Sequence, residues 1–385
     1  MFKLLTIMAK VVKIDGSLGE GGGQVLRIAI SLSALYNIPI QIENIRVGRP
    51  KPGLAAQHLK GVEIARDMCN AKINGAYIGS THLEFYPETL SKVRKREFYA
   101  DIQTAGCIAL LAQVAVPIAL FLPSENRPVV LTLKGGTNVP MGPHLEYLTE
   151  VFKPWLNKFG GDFDFTVVRR GYYPKGGGEI NLRIMPIKNL KPIDVIRQGN
   201  INGISGWAYV AGSVSLHEAY QMAGEVKDSL SKELETNDIE VPPINIETYR
   251  EDRNTAVGNG AGINVVCHTD TGCVFGGSGL GTYKRDTLTS TPQDAVEQIM
   301  NPIINKSCVD VHMQDQLILF MALARGRSSI FIGSQKLTLH TETAMEIAKI
   351  ILKDRGLNYE LKNMNETNPN EFLLQCNGCG LTNDT

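Results

Sequence analysis

Apolar and polar positions along this chain fall into two rhythms that follow one another in a fixed order. VVKID and IPIQIENIRV read as strands, whereas GQVLRIAISLSALYN and LAAQHLKGVEIARDMCN carry apolar residues at i, i+3 and i+4, the spacing of one helix face. Strands around AKINGAY and HLEFYP close a first unit over residues 11–86. Residues 103–185 repeat that order, with helices in TAGCIALLAQVAVPIAL and PHLEYLTEVFKPWLNKFG and strands in PVVLTLKGG, FDFTVVRRG and GEINLRIMP. Residues 311–377 repeat it again: helix VHMQDQLILFMALA, strand SSIFIG, helix TETAMEIAKIILKD, strands LNYELKN and EFLLQC. A recurrence every 70–80 residues or so predicts three βαβαββ-like units.

The stretch between the second and third units has a different character. Strands in GISGWAYVAG, INIETY, INVVCHT and VFGGSG and helices in HEAYQMAGEVKDSLSKELE and PQDAVEQIMNPII suffice for a small α+β domain of its own. The expected architecture is therefore α+β. Residues 1–185 hold the first two units of a large domain, 186–306 an inserted small domain and 307–385 the third unit. Asn189–Pro192 and Asn301–Ser307 are the expected hinges.

A length of 385 residues fits two or three such bodies at about 100–200 residues each. Lys and Arg number 39 and so do Asp and Glu, which excludes a globally basic nucleic-acid binder but leaves room for a local basic groove. No apolar run approaches ~18 residues, so no transmembrane helix is expected. MFKLLTIM is too short an apolar run for a signal peptide, Met8 offers a second start, and the chain reads as intracellular. The seven cysteines (Cys69, Cys107, Cys267, Cys273, Cys308, Cys376 and Cys379) are scattered and read as buried, reduced thiols. Cys376 and Cys379 form a lone C-x-x-C without the second pair or histidines of a zinc site.

The 38 glycines exceed the usual ~7% and are clustered. Gly19-Glu20-Gly21-Gly22-Gly23-Gln24 falls between a strand and a helix start, where backbone N–H groups and the helix dipole favour an anion. Gln24 stands where G-x-G-x-x-G needs its last glycine, and no G-x-x-x-x-G-K-[ST] occurs, so neither dinucleotide fingerprint nor P-loop is present. The glycines alone fit a tight turn equally well. Lys134-Gly135-Gly136-Thr137 and Lys175-Gly176-Gly177-Gly178-Glu179 add two Lys-bearing turns, and Arg27, Arg46, Arg49, Lys51, Arg169 and Arg170 lie close by in sequence. The set leans towards a phosphate-handling surface, with solvated basic loops as the competing reading. In the insert, Arg250, Arg253, Lys284 and Arg285 fit either an RNA grip or an ordinary solvated surface.

His82, His217 and His268 read as structural. Gln57 and His58 open a helix after the basic loop, within reach of a phosphate, while His144 begins a helix and needs no chemical role. His312 stands near Asp315 and Gln316. His340, in LHTET at a strand-to-helix junction, is suited to act on a phosphoanhydride, with Thr341 or Thr343 as the helix cap; a capping role for His340 itself fits as well.

GEGGGQVLR, IRVGRPKPGLAAQHL, KGGTNVPMGP, RRGYYPKGGGEI, VHMQDQLILFMALA and LTLHTETAMEIA together closely resemble the RNA 3′-terminal phosphate cyclase family, in the family's order and over nearly the whole chain. RGYYPKGGGE and the ending GCGLTN look nearest to its eukaryotic branch. The resemblance implies three repeated units like the C-terminal domain of translation initiation factor three, with a smaller α+β insert. It also implies an enzyme that uses ATP and Mg²⁺ or another divalent cation on RNA bearing a 3′-terminal phosphate. A histidine takes AMP from ATP, the AMP passes to the RNA phosphate, and the 2′-OH then closes a 2′,3′-cyclic phosphodiester.

By position, His340 matches the adenylated histidine, and Gln113, Pro143, His312, Asp315 and Gln316 match the nucleotide pocket. His312 stands where some relatives have a stacking tyrosine. Glu20 matches a metal position, and Arg27, Arg46, Arg49 and Gln57 match positions around the phosphates. The family further implies a nuclear protein, with or without a cytoplasmic pool, and no membrane partner. It leaves the oligomeric state open. Two rivals remain in view. One is a non-catalytic cyclase-like protein of ribosomal RNA processing, against which LHTET, Glu20, Arg27 and Gln113 argue. The other is the enolpyruvyl-transferase group, which shares the repeated unit and needs no covalent histidine.

Overall fold

The computed structural model describes residues 10–124, 126–284, 287–289, 292–364 and 370–383; Met8 and Arg285, named above, lie outside them. In the first unit β1 (Val12–Asp15) is followed by α1 (Gly23–Tyr36), β2 (Ile40–Glu43), α2 (Ala56–Cys69), β3 (Lys72–Asn74) and β4 (Leu83–Tyr86). The strands form a sheet in the order β1-β2-β4-β3, with β1 and β2 parallel and the other pairs antiparallel. Asn37 and Asn70 end the two helices in the left-handed conformation, which asparagine tolerates.

The second unit has β5 (Glu97–Asp101), α3 (Ile108–Leu120), β6 (Val129–Gly135), a helical segment over 145–158 called α4, β7 (Asp164–Gly171) and β8 (Gly178–Ile184). Its sheet runs β5-β6-β8-β7, the order of the first. The third unit opens with β9 (Asp194–Val195). The inserted chain then follows with β10 (Ile201–Ala211), α5 (Leu216–Thr236), β11 (Ile244–Arg250), β12 (Ala256–Val257), β13 (Gly260–Thr269), β14 (Val274–Leu280) and α6 (Pro292–Ile304). After it come α7 (Val311–Leu323), β15 (Arg327–Gly333), α8 (Leu339–Leu352), β16 (Asn358–Asn363) and β17 (Phe372–Asn377). The order β9-β15-β17-β16 matches the other two units strand for strand.

Three features differ from the sequence reading, the first being β5, which opens the second unit ahead of residue 103. Asp194 and Val195 pair with Ser329 and Ile330, so the third unit's first strand lies before the insert and not within it. Ala256 and Val257 pair in parallel with Arg170 and Gly171, so one inserted strand extends the second unit's sheet. The insert's own sheet runs β11-β10-β13-β14.

Helices meet in the middle of the molecule. Eleven of the fourteen residues of α1 are buried, because the helix packs on α2, α3 and α8 at once and needs an apolar surface nearly all round. One hydrophobic core accordingly runs from Ile14 through all three units and the insert to Cys376. Of the cysteines, all but the partly exposed Cys379 are buried, and all seven are free thiols. Among the described residues no helix is long and apolar enough to cross a membrane.

Candidate active site

The starts of α1, from the first unit, and α8, from the third, meet at the first glycine turn. The glycine turn leads into α1, whose N-cap, Gly22, makes no side-chain capping bond. Gly19 has φ +56°, and a Cβ there would collide with Thr343 Oγ1 on α8. Only glycine lets the turn approach that closely. The Glu20 N–H then donates to Thr343 Oγ1 at 3.0 Å, tying the first unit to the third. Thr338 caps α8, accepting from the Thr341 N–H at 3.0 Å, so Thr341 and Thr343 lie inside the helix and are not its cap. His340 is the second residue of α8, and its side chain is 50% exposed.

His340 Nδ1 stands 3.9 Å from Glu20 Oε2. Burial holds the imidazole below its ordinary value; Glu20 opposes this, and the nearby charges of Arg27, His312 and Arg49 add to it. The other Glu20 oxygen pairs with Arg49, which also donates to the Glu20 carbonyl at 3.0 Å. Glu20 Oε2 is buried and accepts no hydrogen bond, and Arg27 Nε is equally without a partner. Burial lowers the Arg27 guanidinium, with Asp315 and Glu20 opposing. Arg27 also donates to Gln24, one turn back on the same helix face.

The remaining candidates surround this centre. Asp315 is buried beside Arg27, and burial pushes its carboxyl up to about 7 against the pull of that arginine. Gln113 and Gln316 line a cleft with Gln24, Arg27 and Phe320, and Gln57 lines an adjoining one with Arg27 and His58. Gln57 accepts from the Cys107 N–H at 3.1 Å, and the Cys107 thiol donates to the Pro143 carbonyl at 3.3 Å, which joins Pro143 to the same cluster. His312 meets Tyr147 edge to face at 6.2 Å.

Arg46 does something different. Its Nη1 donates to the carbonyls of Lys51 and Gly53, at 3.1 and 2.7 Å, and so braces its own loop. His58 accepts from the Ala55 N–H at 3.2 Å, and burial together with Arg46 and Arg27 drives it down to about 3, leaving a neutral ring.

The other two glycine clusters correct the sequence reading. Lys134 pairs with Glu179 at 2.9 Å, Gly135 stands opposite Gly178 in the β6–β8 ladder, and the Arg169 Nε donates to the Gly177 carbonyl at 2.9 Å. A Cβ on Gly178 would sit 2.8 Å from the Gly171 nitrogen, so these glycines serve backbone packing. Gln24 and Thr343 join the site without a sequence signal for that role: Gln24 accepts from Arg27 on its own helix and bonds Asp315 of the third unit, and Thr343 receives the Glu20 N–H.

No group of three or more His, Cys, Asp or Glu side chains suited to a metal ion occurs among the described residues. The bare Glu20 Oε2 does fit a divalent cation shared with bound phosphates, the usual manner of Mg²⁺, which takes one or two carboxylates.

A half-exposed histidine at a helix start, with Glu20, Arg27 and Arg49 beside it and three βαβαββ units around it, defines the class: an α+β protein of three repeated units with a histidine set among charged groups. Residues 18–355 match the family model of RNA 3′-terminal phosphate cyclase. An RNA 3′-terminal phosphate cyclase of Drosophila melanogaster is 36% identical over 97% of this chain and 98% of its own. One of Pyrobaculum aerophilum is 39% identical over 89% and 93%, and a probable one of Dictyostelium discoideum 33% identical over 95% and 82%. The chain belongs to the RNA 3′-terminal phosphate cyclase family.

Proposed function

We propose that this chain converts an RNA 3′-terminal phosphate into a 2′,3′-cyclic phosphodiester, using ATP and a histidyl-adenylate on His340. The observation that carries the reading is the setting of His340: open to solvent on one side, near Glu20, and held below its ordinary protonation range so that a ring lone pair is free at neutral pH. The names of the relatives support the overall reaction and the RNA substrate.

In this reading the imidazole attacks the α-phosphorus of ATP and diphosphate leaves. The AMP then moves to the RNA 3′-phosphate, which turns a poor leaving oxygen into AMP. The vicinal 2′-OH attacks the same phosphorus, closes the ring and expels AMP; both groups sit on one ribose, so proximity supplies much of the rate. Arg27 and Arg49 offer forked donors to phosphate oxygens, Arg46 keeps the Arg49 loop in place, and Gln57 supports the same edge. Pro143 and His312 flank the adenine, while Gln113, Asp315 and Gln316 meet its polar edge and ribose. Glu20 would hold a divalent cation, which when bound neutralises the diphosphate leaving group. Nuclear residence belongs to the same proposal and is read by cell fractionation.

The deciding experiment incubates the protein with α-labelled ATP and Mg²⁺, then runs a denaturing gel beside His340→Ala. An acid-labile, alkali-stable label on the native chain alone is the expected result. Label on the variant would sink the mechanism, and no label on either would turn the reading to the non-catalytic RNA-processing class.

A further inference from the structure

Thr137–His144 forms the loop between β6 and α4, and it carries Pro143. Near its start the loop is held by buried Asn138, which donates to Glu146 at 2.9 Å, and the Pro143 carbonyl accepts from the Cys107 thiol at 3.3 Å. Its first residue is tied back by the Thr137 N–H to the Gly171 carbonyl at 2.8 Å, and its tip, Met141, is 94% exposed with φ +60°. The far end is held from another domain. His144 Nδ1 lies 2.6 Å from Asn264 Oδ1 on β13 of the insert, with both side chains buried. Burial holds the His144 ring below its ordinary value, and because the asparagine oxygen can only accept, the His144 Nδ1–H is the donor.

The opposite wall has a matching support. Asp310 caps α7, which bears His312, Asp315 and Gln316, by accepting from the His312 and Met313 N–H groups at 2.9 and 2.8 Å. The Gly276 N–H of the insert donates to the other Asp310 oxygen at 3.0 Å, and the Tyr147 hydroxyl, from α4, donates to the first at 2.7 Å. Adjacent insert strands, β13 and β14, thus reach the Pro143 loop and the start of α7.

We propose that the insert sets the spacing of the two nucleotide-pocket walls, and that Asn264 is a positioning residue acting on Pro143 through His144. The inference rests on the nucleotide reading above. Asn264 touches none of the reacting groups; its effect is on where the adenine-facing wall stands. A displaced wall weakens ATP docking without altering the nucleophile, so the expected signature is in KM and not in the maximal rate of adenylation.

The test is a double-mutant cycle of Asn264→Ala and His144→Ala, read by the ATP dependence of enzyme–AMP formation and by backbone hydrogen exchange of residues 137–145 in the free protein. Each single variant should raise the KM for ATP about 3- to 30-fold with the maximal rate within about twofold, and the double variant should be no worse than either single. Exchange should quicken in 137–145 in all three variants and stay unchanged in α2. Multiplying effects in the double variant, an unchanged KM or unchanged loop exchange would each overturn the proposal while native labelling left the enzyme reading intact. A native chain that takes no label overturns the nucleotide reading, and the exchange result alone then decides whether the insert positions the loop. Should Asn264→Ala fail to fold, Asn264→Asp retains the accepting Oδ1. The Asn264 Nδ2 has no partner to lose, so this variant should keep native exchange in 137–145. Fast exchange there in folded Asn264→Asp would count against the proposal.

Discussion

Gly19–Gln24 with Arg27 and Arg49 draws on the same residue types as Lys134–Thr137 and Lys175–Glu179 with Arg170: glycines beside cations. In the second region the charges are answered internally. Arg170 pairs with Glu146 at 2.7 Å and Glu251 at 3.3 Å, and Asn138 donates to Glu146 at 2.9 Å. In the first, Glu20 Oε2 and Arg27 Nε are buried with nothing to bond. Burial without partners is costly, so a fold keeps it where a ligand completes the set. Composition alone does not separate a ligand site from a structural joint; what differs is that Glu146 Oε1, also without a hydrogen bond, has the Arg170 cation 2.7 Å away, whereas the ion-pair partner of Glu20 Oε2 is the titratable His340 at 3.9 Å.

Two arginines break or sharpen that contrast most directly. Arg27→Gln should cost at least about 100-fold in enzyme–AMP formation, as expected for a group aimed at developing charge, with the melting temperature kept or raised. Arg170→Gln should strand two carboxylates and destabilise the chain by about 3–5 kcal/mol, read in denaturant melts, with adenylation by the folded fraction largely kept. The reverse pattern would exchange the roles assigned to the two regions.

Two buried carboxylates make the same point in pH. Burial raises Asp315 to about 7 despite Arg27, so the folded state is penalised progressively from the unfolded value of 3.8 upwards and fully above pH 7. Asp315→Asn should therefore stabilise the free protein at pH 8, by something on the order of 1–3 kcal/mol, and have no effect near pH 3. For Glu146 burial pulls upwards too, but Arg170, with the Asn138 amide donating to it, holds it below its ordinary 4.5. Its stabilisation is present above that value and lost as pH falls through the folded one, so Glu146→Gln should destabilise at pH 7 and progressively less in acid. Melting temperatures of both variants across pH 3–8 check the opposite signs.

Glycine substitutions follow at smaller magnitude. A Cβ at Gly178 meets backbone, so Gly178→Ala should lose about 1–3 kcal/mol in a melt. A Cβ at Gly22 meets only the movable Glu20 carboxylate, and φ there is −128°, so Gly22→Ala should fold normally and instead slow adenylation.

Much of this was legible in the chain. Helices such as Gly23–Tyr36 and Val311–Leu323 announce themselves by periodicity, and the insert's strands and helices lie where their patterns put them. Asp194–Val195 was not, because two residues carry no period; only the sheet reveals that they start the third unit ahead of the insert. Glu97–Asp101 carries little signal for a related reason: it is a short edge strand with charges at both ends. The site was legible in residue type but not in pairing. Glu20 reaches Thr343 and His144 reaches Asn264, across 323 and 120 residues, and no local signal joins such partners.

Lys134 is where the two readings of a glycine-lysine turn differ most and the expected effect is smallest. As a phosphate ligand it would raise the KM for ATP or RNA several-fold when removed. The structure instead has it across the ladder from Glu179 and over the Tyr99 ring, with both charged side chains open to solvent, at 28% and 21% exposure. A pair so placed is screened and contributes about 0–1 kcal/mol. Lys134→Gln should therefore shift the melt slightly, and less at high salt, while KM for both substrates stays within about twofold. A several-fold rise in either KM with an unchanged melt would return the second glycine region to the site and remove the contrast between the two.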